Sequence, residues 1–118
     1  MRYLQDHQIN QSNDAVTITV LDEPGEGGAN HQYQITAPGT PVVMLKFQQG
    51  AMNESALNGI TNEALLAVVI DRLRGFQQGQ FPSRENAIAL TRIEEALMWL
   101  HRRTVDRTRR GVEGRSVA

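Results

Sequence analysis

SRENAIALTRIEEALMWLHRRTVDRTRRGVEG, residues 83–114, decides the fold of this 118-residue chain. Leu90, Ile93, Leu97 and Leu100 recur at steps of three, four and three, the period of one apolar helix face. Ser83 stands where an N-cap hydroxyl accepts from an orphan backbone N–H. Beyond Leu100 the same seam runs into Thr104 and Arg107, so the stripe turns from apolar to basic along one helix. The stretch predicts a helix of about 27 residues, roughly 40 Å long at 1.5 Å per residue. Residues 115–118 read as a tail.

Upstream, Thr61 is placed to cap a first helix, with Glu63 favoured in its first turn by the helix dipole. Leu66, Val69, Leu73 and Phe76 form its expected stripe. QQGQFP, residues 77–82, interrupts the pattern: Gly79 serves as a stop and Pro82 restricts its predecessor. Two stripes joined by a short turn predict an antiparallel helical hairpin. The first helix, of about 17 residues, should cover the second only to about His101, leaving the last turns overhanging. Leu65, Val68, Ala89 and Ala96 fall off the main seam and leave faces to spare. Such a hairpin needs the rest of the chain, another copy, or both, and a homo-oligomer is expected.

The first half carries a different period. AVTITVL (15–21), HQYQITA (31–37) and PVVMLKFQQ (41–49) alternate like strands, with Arg2 to Gln5 as a further edge. DEPGEGGAN (22–30) and Pro38-Gly39 supply turns. The fold class expected is α+β: a small N-terminal antiparallel β-sheet (1–50), then a helical hairpin with a long second helix (51–114).

Composition removes several classes of function. No stretch approaches the roughly 20 apolar residues of a membrane helix, and MRYLQDHQIN lacks the apolar core of a signal peptide. With no cysteine there is no disulfide, thiolate or Cys-ligated metal. His7, His31 and His101 lack metal-ligand spacing, and no metal or cofactor is expected. Asp22, Glu23 and Glu26 do not follow a calcium-loop pattern and read as a solvated hairpin loop. Glu94 and Glu95 are helix neighbours pointing about 100° apart, so they form no acid–base dyad. No catalytic constellation is visible. Charge is divided unevenly: residues 1–60 carry six acids against Arg2 and Lys46, while residues 61–118 carry ten arginines against seven acids. A pI of about 6.3 argues against duplex nucleic acid.

Arginine grips phosphate through paired N–H groups. Arg103 and Arg107, at steps of four from Trp99, are placed to hold two phosphates of one ligand. The alternative for these residues is dipole compensation and ordinary surface pairing. Phe76, at the hairpin tip, offers a ring on which a base can stack, or a core residue closing the hairpin. Asn86 offers an amide that donates and accepts toward a base edge, or first-turn capping. Arg84 and Trp99 are secondary ligand-binding candidates.

At these residues the chain resembles a known family. NGITNEALLAVVIDRLRGFQQG (58–79), followed by SRENAIALTRIEEALMWLHRRTVDRTRRGVEG, is similar to the Thoeris anti-defence sponge proteins of phages. It also resembles the shorter sponges that block cyclic-oligonucleotide (CBASS) signalling. DEPGEGGANHQYQI (22–35) resembles the small sheet of the Thoeris-directed branch. The resemblance implies non-catalytic capture of signalling nucleotides, chiefly glycocyclic ADP-ribose, with cyclic di- and trinucleotides at separate pockets in some members. It implies a dimer or hexamer acting in the cytoplasm of the infected host. By motif it assigns base contact to Phe76 and Asn86 and the diphosphate to Arg103 and Arg107. Without the resemblance, an arginine face that binds an acidic protein partner or nucleic acid stays open.

Overall fold

The computed structural model describes residues 1–50 and 57–109. The tail and the residues beyond Arg109 over which the sequence predicts the end of the long helix, Arg110 included, lie outside them, as does most of the connector from Gly50 to Gly59. The described chain forms two compact units, one of strands running to Gly50 and resuming up to Ile60, the other of helices from Thr61 on.

The first unit is the expected antiparallel sheet. Strands β1 (Arg2–Leu4), β2 (Thr17–Val20), β3 (Gln32–Thr36) and β4 (Val43–Lys46) pair in sequence order. A four-residue helix, α1 (Gln11–Asp14), precedes β2 and was not anticipated. Its cause is local: the Asn10 side chain accepts from the Asn13 N–H at 2.9 Å, satisfying one orphan donor. Register sorts the side chains by chemistry. Leu4, Ile18, Ile35 and Val43 align across one face, with Val20, Tyr33 and Leu45 beside them. Tyr3, Thr19, Gln34 and Met44 align across the other. This is the period-2 alternation read from the strands. Val20 is the best covered sheet residue, 1% exposed, and Tyr33 meets Phe47 edge-on with ring centroids 5.6 Å apart.

The glycine loop between β2 and β3 is organised by Asp22. Its carboxylate accepts from the backbone N–H groups of His31 (3.0 Å) and Gln32 (3.2 Å). Its carbonyl accepts from Asn30 Nδ2 at 2.7 Å, and Asn30 Oδ1 accepts from Arg2 Nη2 at 2.9 Å. Desolvation pushes the carboxyl up; the His31 and Gln32 N–H groups and the Asn30 side chain outweigh it and hold Asp22 below its ordinary value. A depressed carboxyl contributes stability above its unfolded pKa of about 3.9 and loses it as pH falls through the lower folded value. Asp22→Asn should therefore lower the melting temperature at neutral pH, with the gap to wild type closing below about pH 4. Thermal melts from pH 7 to 2.5 read this out; parallel curves would assign the loop no electrostatic part.

In the second unit, α2 (Asn62–Gln78) and α3 (Arg84–Arg109) pack as the hairpin. Thr61 Oγ1 accepts from the Ala64 N–H at 3.1 Å, and Ser83 Oγ from the Asn86 N–H at 3.0 Å, so both expected caps form. Gln77 Oε1 accepts from the Ser83 N–H at 3.1 Å and ties the turn together. The α3 seam is as read: Leu90, Ile93, Leu97 and Leu100 are half-buried, continuing through Thr104 to Arg107. The α2 seam is shifted. It runs Leu66, Ile70, Leu73 and Gln77, with Ile70 only 3% exposed, while Val69 and Phe76 stand largely exposed on one flank. Both registers alternate threes and fours. LLAVVI offers two adjacent apolar rows, and the one facing α3 wins by packing rather than by composition.

Candidate functional site

The groove on one side of the hairpin fixes which flanks face together. A cavity of about 360 Å3 is lined by Ala67 and Arg74 of α2 and by Glu94, Met98 and His101 of α3, with Ile70 and Leu97 behind them. Arg74 and Glu94 join across it at 2.8 Å. An exposed pair of this kind is worth about 0.2–1 kcal/mol. Successive helical residues turn by about 100°. The opposite flank must therefore gather Leu65, Val69 and Phe76 from α2 with Ala89, Ala96 and Arg103 from α3. Phe76 and Arg103 thus share a flank, away from the ion-paired groove.

Each candidate now has a place. Phe76, 50% exposed, sits three residues before Gly79, where α2 ends, so it is not the core residue that would close the hairpin. The Arg72 guanidinium lies over its ring, 5.5 Å from the centroid. Asn86 is half-buried in the first turn of α3; its backbone N–H, rather than its side chain, completes the Ser83 cap. Arg103 is exposed. Arg107 is 7% exposed and makes interactions within the chain, so the expected overhang is not bare at this residue. Trp99, 54% exposed, lies on the side of α3 turned away from α2, with Arg102 over its ring at 5.4 Å. Arg84 borders a separate shallow groove of about 240 Å3 with Ile88, Thr91 and Arg92.

The expected common face of Trp99, Arg103 and Arg107 is therefore corrected. Each step of four turns about 40° around a helix, so two such steps carry the chain about 80° from Trp99 to Arg107. The 3-4 rhythm places Arg107 on the Leu100–Thr104 seam, and there it is buried while Trp99 and Arg103 are exposed.

Position along the axis divides the candidates further. Phe76 and Asn86 occupy the hairpin tip. Arg103 and Arg107 follow Asn86 by 17 and 21 residues, or about 26 and 32 Å at 1.5 Å per residue. One chain keeps the members of each pair within about one helical turn of each other along the axis and keeps the pairs apart. The arginine end gains from the helix dipole, since Arg107 and Arg109 lie in the last turn, where backbone carbonyls leave partial negative charge. Among the described residues no group of three or more His, Cys, Asp or Glu could hold a metal ion. No helix there is long and apolar enough to cross a membrane.

A four-stranded sheet followed by a hairpin, with an aromatic–amide tip and an arginine-bearing far end, defines a small α+β protein built to present polar groups from helix ends. Residues 42–105 match the family model described as Acb2/Tad1, hairpin domain. The chain is also 46% identical over 90 residues to Thoeris anti-defense 1 of Bacillus phage SBSphiJ7. That alignment covers 76% of this chain and 63% of the phage protein. The chain belongs to the Acb2/Tad1 hairpin-domain family, as its motifs implied. The family match takes in β4, both helices to Val105, and hence Phe76, Asn86 and Arg103, stopping two residues before Arg107.

Proposed function

We propose that this protein is a non-catalytic anti-defence sponge that captures an immune signalling nucleotide of the glycocyclic ADP-ribose type and releases it intact. The setting is the cytoplasm of an infected bacterium, where capture starves Thoeris-type signalling. The observation that carries the reading is the separation of about 26 Å between the tip pair and Arg103 along α3. That is further than one ADP-ribose-sized molecule reaches from base to pyrophosphate. The site is completed when the tip of one copy meets the arginine end of another, in a homodimer or a higher assembly such as a hexamer.

In that arrangement Phe76 stacks the adenine and Asn86 hydrogen-bonds a base edge or ribose hydroxyl. Arg103 presents its fork to the pyrophosphate, and Arg107, fixed on the seam, supplies the second charge from beneath. Stacking contributes about 1–3 kcal/mol and each charge-assisted hydrogen bond about 1.5–3 kcal/mol. No bond of the ligand is broken, in keeping with a relative named for anti-defence. Cyclic di- or trinucleotides occupy separate pockets of the assembly, extending the action to CBASS-type signals.

Native mass spectrometry with glycocyclic ADP-ribose isomers and cyclic di- and trinucleotides tests this directly. A multimer carrying the mass of the nucleotide, with unchanged nucleotide recovered by chromatography, is expected. A monomer that takes up none of the panel would end the reading, and a shifted nucleotide mass would make the protein an enzyme.

A further inference from the structure

The two arginines of α2 have different fates. Arg74 is neutralised by Glu94 at 2.8 Å. Arg72 lies over the Phe76 ring at 5.5 Å, and among the described residues no carboxylate comes within ion-pair distance of it. Both Arg72 and Phe76 are exposed, one turn apart. A guanidinium over an aromatic face is attracted by the ring quadrupole. A guanidinium held over that face by its centre keeps N–H groups available to a ligand, and its planar fork can meet a phosphate bidentately. An exposed cation–ring pair of this kind contributes little to holding a helix together. Its chemistry is that of a platform with an anion-binding rim.

We propose that Arg72 is a further ligand-binding residue of the nucleotide site: it closes one face of Phe76, so a purine stacks on the other, and it hydrogen-bonds a ligand phosphate at the edge of the ring. The inference rests on the nucleotide reading above and adds a residue that reading did not use. It places a phosphate contact at the hairpin tip, on the same chain as the base platform.

The test compares two probes, ADP-ribose and adenosine, by ligand-observed NMR titration on the full chain. The proteins are wild type, Arg72→Ala, Arg72→Lys and Phe76→Ala, each first checked for unchanged helix content by circular dichroism. Arg72→Ala should weaken ADP-ribose about tenfold or more and adenosine less than twofold, since only the former carries the phosphates. Arg72→Lys should recover less than half of that loss on a logarithmic scale, because an ammonium does not offer the bidentate fork. Equal losses for both probes would reduce Arg72 to a prop for the ring and overturn the proposal, as would no loss at all. Wild type that binds neither probe would overturn this inference, while the nucleotide reading stands or falls on the cyclic-nucleotide panel above. Binding lost in Phe76→Ala but kept in Arg72→Ala would remove this inference alone.

Discussion

Arg107→Ala should lower both the melting temperature and the affinity for nucleotide, whereas Arg103→Ala should lower affinity alone. The two arginines read as an equivalent pair in sequence, and burial separates them. Arg107 is 7% exposed, on the apolar seam, and engaged within the chain. Its truncation leaves unfilled space and strands the groups it served, at a cost of about 1–3 kcal/mol. At about 3–6 °C per kcal/mol, between the values for smaller and larger domains, the melting temperature should fall by about 3–18 °C. Arg103 is exposed, and surface truncations usually stay within about 0.5 kcal/mol. Removing its contact with a pyrophosphate should cost about 1.5–3 kcal/mol, or roughly 10- to 150-fold in affinity. Differential scanning fluorimetry and isothermal titration on the same preparations resolve the two effects. Equal melting temperatures for both variants would contradict the packing described for α3. Undiminished affinity in Arg103→Ala would remove the exposed arm of the clamp.

That asymmetry shows where sequence reading reached its limit. The α3 seam was readable because only one row of large aliphatic residues, Leu90, Ile93, Leu97 and Leu100, runs there, its neighbour being filled by Ala89 and Ala96, and the rhythm continues unbroken to Arg107. In α2, LLAVVI provides competing rows at Val69 and Ile70, and the choice depends on which row meets α3. Period alone does not carry that information. The strands were readable because Thr17–Val20 and Gln32–Thr36 alternate cleanly; α1 was not, because four polar residues in QSND have no period, and the Asn10 cap was the only local signal. For the site, residue types and their levels along the helix followed from spacing. Arg72 over Phe76 was available as an i, i+4 pair, but that Arg74 rather than Arg72 takes Glu94 is visible only in the structure. The residues that meet across copies follow from neither sequence periodicity nor a single chain.

Gly59→Ala should be among the most damaging single-methyl changes in this protein. The segment leading to Ile60 runs beside the outer edge of β4. Ile60 N–H donates to the Lys46 carbonyl and the Gln48 N–H donates to the Ile60 carbonyl, each at 2.8 Å. Asn58 reinforces the crossing: its Oδ1 accepts from the Gln49 N–H and its Nδ2 donates to the Gln49 carbonyl, both at 2.8 Å. This contact satisfies backbone groups at the end of that edge, on Lys46 and Gln48, that would otherwise be unpaired. A Cβ at Gly59 would fall against the Phe47 carbonyl carbon and 2.6 Å from the Lys46 and Phe47 carbonyl oxygens. These are backbone atoms at the end of β4 and just beyond it, which cannot turn aside as a flexible side chain can. Relief requires the segment to lift, which breaks the two Ile60 bonds at about 0.5–1.5 kcal/mol each and disturbs the Asn58 pair. A loss of about 2–4 kcal/mol is a large fraction of a total of about 5–15 kcal/mol. Gly75 provides the opposite case. It lies inside α2 with nothing within 4 Å of an added Cβ, and Gly→Ala in a helix interior gains up to about 1 kcal/mol. Urea unfolding of the two variants should give midpoints displaced in opposite directions, and amide exchange in Gly59→Ala should accelerate at Gln48 and Ile60. A Gly59→Ala protein as stable as wild type, with those amides still protected, would mean that the close crossing against β4 does not exist.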